Sequence, residues 1–167
     1  PRSGSTLLES ILSMNKNVKD LGETDIFADC YMDWKKSAKK LTLFEIFNKK
    51  MIPFNENLYI TTNKNLYNYQ YTGIIANQIP NVKIIHSYRN PLDNILSIYR
   101  AHFAKKKIKY ASCLVDCANI YLNQDEIMSQ YKKRFRPKIY DLNYDTLVRN
   151  PYEEIKSLIN WLGWEWQ

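Results

Sequence analysis

The sequence is poor in the residues that hold metals and disulfides. Its three cysteines, Cys30, Cys113 and Cys117, make no complete disulfide framework and form no CxxC pair. Cys113 and Cys117 fall four apart on a predicted helix, which reads as core-facing thiols rather than ligands. With only two histidines, His86 and His102, a structural zinc site is not expected, and no metal is assigned. No apolar run approaches the roughly 20 residues of a membrane span. The Walker A pattern GxxxxGK(S/T) is also missing, which disfavours ATP or GTP turnover of the ordinary P-loop kind. No RNP-like, helix-turn-helix or zinc-finger pattern occurs, so nucleic acid is not an expected partner.

What is present suits a globular domain. Of the 167 residues, 45% are apolar and 14% aromatic, enough for one domain with a real core. The net charge of +7 favours a polyanionic partner or reflects a solvated lysine-rich surface. Lys35, Lys36, Lys39 and Lys40, and then Lys105, Lys106, Lys107 and Lys109, read as such faces or loop margins.

The order of elements predicts an α/β fold. Ser5 to about Met14 is a helix, and Val18–Leu21 is a short extended piece running into Gly22-Glu23-Thr24. Thr24 is read as the cap of a helix carrying Ile26, Phe27, Cys30, Tyr31 and Trp34 at helical spacing. A helix over Leu43 to about Met51 stops before Pro53. Residues 58–62 form a strand, Leu66–Ile79 a helix, and Val82–Tyr88 the most apolar and so central strand. Asn90-Pro91 supplies an N-cap and first helical residue for a helix to about Phe103. A long helix from Cys113 to about Tyr131 precedes a strand at 138–143. Two closing helices follow, split near Asn150-Pro151 and ending at Leu162-Gly163. Strands alternating with helices imply a parallel sheet with right-handed crossovers, without internal repeat or domain boundary.

Ligands of open parallel sheets bind beyond the carboxyl ends of strands. Four pieces fall at such ends: the loop Arg2-Ser3-Gly4-Ser5-Thr6, Asn63-Lys64, Arg89 and Tyr144. The loop leads into Leu7, Leu8, Ile11 and Leu12, so it reads either as an anion-binding helix entry or as a plain helix cap. A loop of this kind follows a buried strand, and none precedes Pro1, so the first strand is expected to be missing. Arg89 offers a planar fork suited to phosphate, with Ser97 eight residues on, or else simply pairs with Asp93. From the residues alone, Glu23 reads as a first-turn helix glutamate favoured by the dipole. His86 within its strand and His102 late on its helix read as structural.

Together these residues resemble the sulfotransferases that use 3′-phosphoadenosine 5′-phosphosulfate (PAPS). The resemblance is nearest to the tyrosylprotein-sulfotransferase-like branch and its bacterial, repeat-linked relatives. The family's 5′-phosphosulfate loop, PRSG(T/S)T followed by leucines, is similar to Pro1–Leu8. Its 3′-phosphate signature resembles Arg89-Asn90-Pro91 with Ser97. Its glycine–glutamate pair corresponds to Gly22-Glu23, its strand-end lysine to Lys64, and its YEDL-like turn to Tyr144-Asp145-Thr146-Leu147.

The resemblance implies a P-loop-like three-layer fold, one sulfotransferase domain over 1–167 truncated at both ends, and in-line transfer of a sulfuryl group from PAPS to an acceptor hydroxyl or amine. It implies that Arg2, Ser3, Gly4, Ser5 and Thr6 hold the 5′-phosphosulfate. Arg89 and Ser97 would grip the 3′-phosphate, with Tyr144 near that phosphate or the adenine. Lys64 would carry leaving-group charge and Glu23 would take the acceptor proton, with burial expected to raise its pKa and nearby Arg2 and Lys64 to lower it again. The product would be adenosine 3′,5′-bisphosphate. The acceptor would be a protein tyrosine, a carbohydrate or a small molecule, with the segment Lys35–Asn57 shaping its pocket. The compartment implied is cytoplasmic for a bacterial protein, which is favoured, and the Golgi lumen for a eukaryotic one. The rival readings are a P-loop small-molecule kinase and a non-catalytic nucleotide- or polyanion-binding module.

Overall fold

A computed structural model of the chain describes residues 2–38, 40–54, 60–101 and 109–165. These fall into two compact units, one of Ser5–Val82 and one of Lys83–Gln167 with Pro1–Gly4. Each mixes helices with parallel strands, as the alternation of elements predicts for the α/β class.

In the first unit the helices are α1 (Ser5–Leu12), α2 (Ile26–Lys36), α3 (Leu43–Met51) and α4 (Thr72–Gln78), and the strands β1 (Val18–Asp20) and β2 (Ile60–Thr62). The strands pair in parallel, with Val18 opposite Ile60 and Asp20 opposite Thr62. A parallel pair needs a long crossover, and α2 and α3 lie between the two strands in sequence. The ladder extends past both strand ends, since Leu21 N donates to the Thr62 carbonyl and Lys64 N to the Gly22 carbonyl, each at 2.9 Å. That register fixes Lys64 beside Gly22-Glu23.

The α3 helix starts on a capping box, in which Thr42 and Glu45 satisfy each other's backbone N–H groups. Leu8, Leu12, Ile26, Cys30, Leu43, Ile46, Met51, Ile75 and Ile79 are buried. Phe27 of α2 stacks on Phe47 of α3 at 5.4 Å between centroids.

In the second unit β3 (Ile84–Tyr88) and β4 (Ile139–Asn143) pair in parallel, from Ile84 opposite Ile139 to Tyr88 opposite Asn143. The crossover between them holds α5 (Pro91–Arg100) and α6 (Leu114–Phe135), and α7 (Tyr144–Arg149) and α8 (Pro151–Leu162) follow. Asn90 caps α5, its Oδ1 accepting from Leu92 N and Asp93 N, with Pro91 as first helical residue. Gly163 ends α8 at φ +76°, a left-handed cap that glycine adopts without Cβ strain. Ile98, Cys117, Met128, Ile139, Leu142, Leu147 and Leu158 form this unit's core.

Several expectations are corrected in detail. Among the described residues the strands join in two pairs, β1 with β2 and β3 with β4. Asp25, not Thr24, stands at the N-cap of α2; it makes no side-chain cap bond, its Oδ1 accepting from Asn65 Nδ2 at 2.7 Å, while the Thr24 hydroxyl accepts from Asn63 Nδ2 at 2.7 Å. The helix expected over 66–79 is a 3-10 turn at Asn68–Tyr71 followed by α4. There Asn65 Oδ1 takes Tyr67 N, and the Asn68 side chain bonds back to Asn63, so local side-chain bonds compete with the helix. Cys113 is exposed at the start of α6, whereas Cys117 is buried. The expectations for Pro1, Lys39, residues 55–59, His102 and the basic turn at 105–107 lie outside the described residues. No described helix is long and apolar enough to cross a membrane.

Candidate functional site

Six of the ten sequence-predicted site residues fall in the second unit. Arg2 and Gly4 both adopt positive φ, +59° and +83°, so the loop turns sharply at two alternate residues. For arginine that region is sparsely populated and has to be held by its surroundings. Two bonds pin it. Arg2 Nε donates to Ser97 Oγ on α5 at 3.0 Å, and the Ser87 hydroxyl on β3 donates to the Ser3 carbonyl. Gly4 lies directly against the Tyr144 ring, where a Cβ would sit 2.7 Å from Tyr144 Cε2. Only glycine fits both the backbone angle and that space.

Tyr144 opens α7, and its ring carries the Arg89 guanidinium 5.0 Å from its centroid. Arg89 sits one residue beyond β3. Its NH2 group lies 3.9 Å from Asp93 and its Nε 3.7 Å from Asp145. These are ion-pair distances, and Arg89 Nε is buried without a hydrogen-bond partner. Buried guanidinium N–H groups are normally satisfied, so this one has donor capacity in reserve. The Arg89 carbonyl accepts from the Tyr121 hydroxyl at 3.3 Å, and Asn90 N donates to Asp145 at 2.8 Å. Ser3, His86, Ser87, Arg89, Asn94 and Tyr121 are among the residues lining a small cleft here. The alternative pairing of Arg89 with Asp93 is present, and Asp145 joins it.

His86 is buried on β3 with Nδ1 3.3 Å from Asp141, which also pairs with Lys132 at 2.5 Å and Arg136 at 2.6 Å. Burial, helped by the Lys132 charge, lowers the His86 pKa below its ordinary value. Despite burial, Lys132 and Arg136 hold the Asp141 carboxyl below the usual range. This cluster ties β3, β4 and α6 together, which fits the structural role read for His86.

The other four residues, Ser5, Thr6, Glu23 and Lys64, belong to the first unit. Ser5 and Thr6 open the first turn of α1, where the backbone N–H groups of any helix have no partner within the helix itself. Lys64, two residues beyond β2, reaches Thr6 Oγ1 at 3.2 Å, Glu23 Oε1 at 3.3 Å and Glu9 Oε2 at 3.2 Å. Burial opposes the Lys64 charge, but its bonds to Glu9 and Glu23 outweigh that and raise its pKa. The Glu23 side chain is 58% exposed, so the burial expected around it is not found.

Glu9 has the buried carboxyl. Its side chain is 10% exposed and Oε1 has no hydrogen-bond partner. Burial, with Asp20 close by, raises its pKa against the pull of Lys64. Sequence reasoning missed it. The available signal was a lone acid in the apolar run from Leu7 to Leu12, on the buried side with Leu8 and Leu12.

Parallel strands, crossover helices and polar residues clustered beyond strand ends define an α/β protein of the kind that carries its site on such edges. The sulfotransferase family matches the chain over residues 1–167, and the chain belongs to that family of transferases. It is also 27% identical over 190 residues to a protein of Aquifex aeolicus (strain VF5) described as uncharacterized. That alignment takes in 100% of this chain and 25% of the relative, so the chain spans about a quarter of the relative's length.

Proposed function

We propose that the chain transfers a sulfuryl group from PAPS to an acceptor hydroxyl or amine, releasing adenosine 3′,5′-bisphosphate. The observation that carries this reading is the Lys64 ammonium set between the Thr6 hydroxyl and the Glu23 carboxylate. One cation contacts a hydroxyl of the helix-entry loop and an acid able to act as base, which is what displacement at a phosphosulfate requires.

Binding is assigned to the loop and to Arg89. Arg2, Ser3, Gly4, Ser5 and Thr6 take the 5′-phosphosulfate through backbone N–H groups, the Arg2 guanidinium and two hydroxyls. Arg89 and Ser97 take the 3′-phosphate, and Tyr144 braces Arg89 from below. The unsatisfied Arg89 Nε supports this, since it leaves a donor free for an anion, and the close fit of Gly4 against Tyr144 ties the loop to the residue that carries Arg89. The transferred group is supplied by PAPS as substrate.

In the transfer, Glu23 accepts the proton of the acceptor hydroxyl as its oxygen bonds to sulfur. Lys64 offsets the charge gathering on the phosphate oxygen that leaves. Positioning and fixed charge do most of the work, as in phosphoryl transfer. The exposure of Glu23 leaves room for an acceptor, and the segment Lys35–Asn57 is assigned to that pocket. Trp34, Phe44 and Phe54 are only half-buried, so they offer aromatic surface there.

The test is an acceptor screen with sulfur-labelled PAPS on the full-length protein. Transfer to a phenol, sugar or small-molecule hydroxyl is expected, and Glu23→Gln should keep PAPS binding yet lose transfer by at least about 100-fold. Undiminished turnover in that variant would move the base elsewhere.

A further inference from the structure

Glu9 has no part in the sequence reading, yet it is the most enclosed carboxylate beside Lys64. An ammonium has three N–H donors. Lys64 already has three oxygen neighbours: Thr6 Oγ1, Glu9 Oε2 and Glu23 Oε1, all at 3.2–3.3 Å. The ammonium is therefore saturated, and it gains a phosphate oxygen only by releasing one neighbour.

The two carboxylates differ in what release costs. Glu23 is 58% exposed, so water takes over the freed oxygen and the pair breaks easily. Glu9 is 10% exposed, and leaving its charge unpaired inside the unit is far more costly. Its other acidic neighbour is Asp20 on β1, which together with burial raises the Glu9 pKa, and Lys64 is the cation that works against that rise. Thr6 lies three residues before Glu9 on α1, so one helix turn presents both anchors to the same ammonium.

We propose that Glu9 is the positioning residue for Lys64, a permanent buried partner that fixes the ammonium while Glu23 is its exchangeable one. In the resting protein Lys64 neutralises Glu23. When a phosphate oxygen arrives, Lys64 exchanges Glu23 for it, stays on Glu9 and Thr6, and leaves the Glu23 oxygen open to accept a proton. Arrival of the leaving group thereby switches on the base. The roles of Lys64 and Glu23 in this switch rest on the function proposed above, whereas the ranking of the two pairs does not.

The experiment titrates Lys64 by NMR in the full-length protein carrying isotope-labelled lysine, with and without saturating adenosine 3′,5′-bisphosphate. In the free protein, Glu9→Gln should lower the Lys64 pKa more than Glu23→Gln does. With the bisphosphate bound, Glu23→Gln should cease to matter while Glu9→Gln still lowers it. Glu9→Asp, which keeps the charge but shortens its reach, should fall between wild type and Glu9→Gln, and it serves if the glutamine variant does not fold. A larger effect of Glu23→Gln in either state overturns the proposal, as does an effect of Glu9→Gln that vanishes on binding. If the bisphosphate does not bind, the functional reading fails, and the free-protein titration still decides the ranking of the two pairs.

Discussion

Gly4→Ala tests the loop geometry against a control within the same chain. Alanine at φ +83° carries the left-handed penalty of about 1–2 kcal/mol. Its Cβ would also press on the Tyr144 ring, and forced repacking of that kind costs about 1–3 kcal/mol. Moving the ring further loosens its contact with Arg89, worth roughly 0.5–1 kcal/mol at a partly exposed site. Gly22 has φ +61° and nothing within 4 Å of an added Cβ, so Gly22→Ala carries the backbone penalty alone. The two variants should therefore differ by about 1.5–4 kcal/mol.

Thermal melting and calorimetric titration with adenosine 3′,5′-bisphosphate read this difference together. Gly22→Ala should lower Tm by about 2–8 °C for a chain of this size. Gly4→Ala should add a loss of nucleotide affinity of about two- to fivefold, the factor that corresponds to about 0.5–1 kcal/mol, since the displaced ring carries Arg89. In Gly4→Ala/Tyr144→Ala the overlap is gone, so the two substitutions should be less than additive. Equal behaviour of the two glycine variants, or full additivity in the double variant, would refute the reasoning.

Arg89→Lys keeps the charge but loses the planar fork and much of the ring contact. Affinity for adenosine 3′,5′-bisphosphate should fall about tenfold or more, with binding of AMP little changed; a parallel loss for both ligands would remove Arg89 from the 3′-phosphate. A second expectation concerns acid stability. The native His86 pKa lies below its ordinary 6.5, so the unfolded chain binds that proton first as the pH falls. Stability should be level in this respect above pH 6.5 and decline below it, down to the native pKa. Glu9, with its pKa raised above 4.5, acts in the opposite sense and favours the folded state as it is protonated. In His86→Gln, urea unfolding should therefore show a flat or rising stability from pH 6.5 to 5.5; an unchanged acid decline would exclude His86 as its source.

The fold was legible wherever a signal is local. The apolar run before Tyr88, the Asn90-Pro91 start of α5 and the Gly163 stop of α8 each rest on neighbouring residues; the cap and the stop appear as read, and the run forms a strand from Ile84 that, among the described residues, pairs with β4 alone rather than lying central. Thr24 was misread because its hydroxyl is taken by Asn63, 39 residues away in sequence. Cys113 and Cys117 share a helical spacing, but only Cys117 lies inside the helix, while Cys113 caps it from the exposed side.

At the candidate site, the sequence picked out Arg89, Ser97, Lys64 and Glu23 and offered Asp93 as a partner of Arg89, but it gave no partner across the fold for any of them. That Arg2 bonds Ser97, or that Gly4 carries Tyr144 on its face, depends on contacts across more than 90 residues. Glu9 escaped for the same reason. A buried acid is recognisable only once its counter-charge, 55 residues on, is in place.

The most direct test compares two nucleotides that differ by a single phosphate. In calorimetric titrations of the full-length protein, adenosine 3′,5′-bisphosphate should bind at least about tenfold more tightly than AMP, since in the proposed reading the 3′-phosphate would add charge-assisted bonds to Arg89 and Ser97. Equal affinities, or binding of neither, would contradict the account.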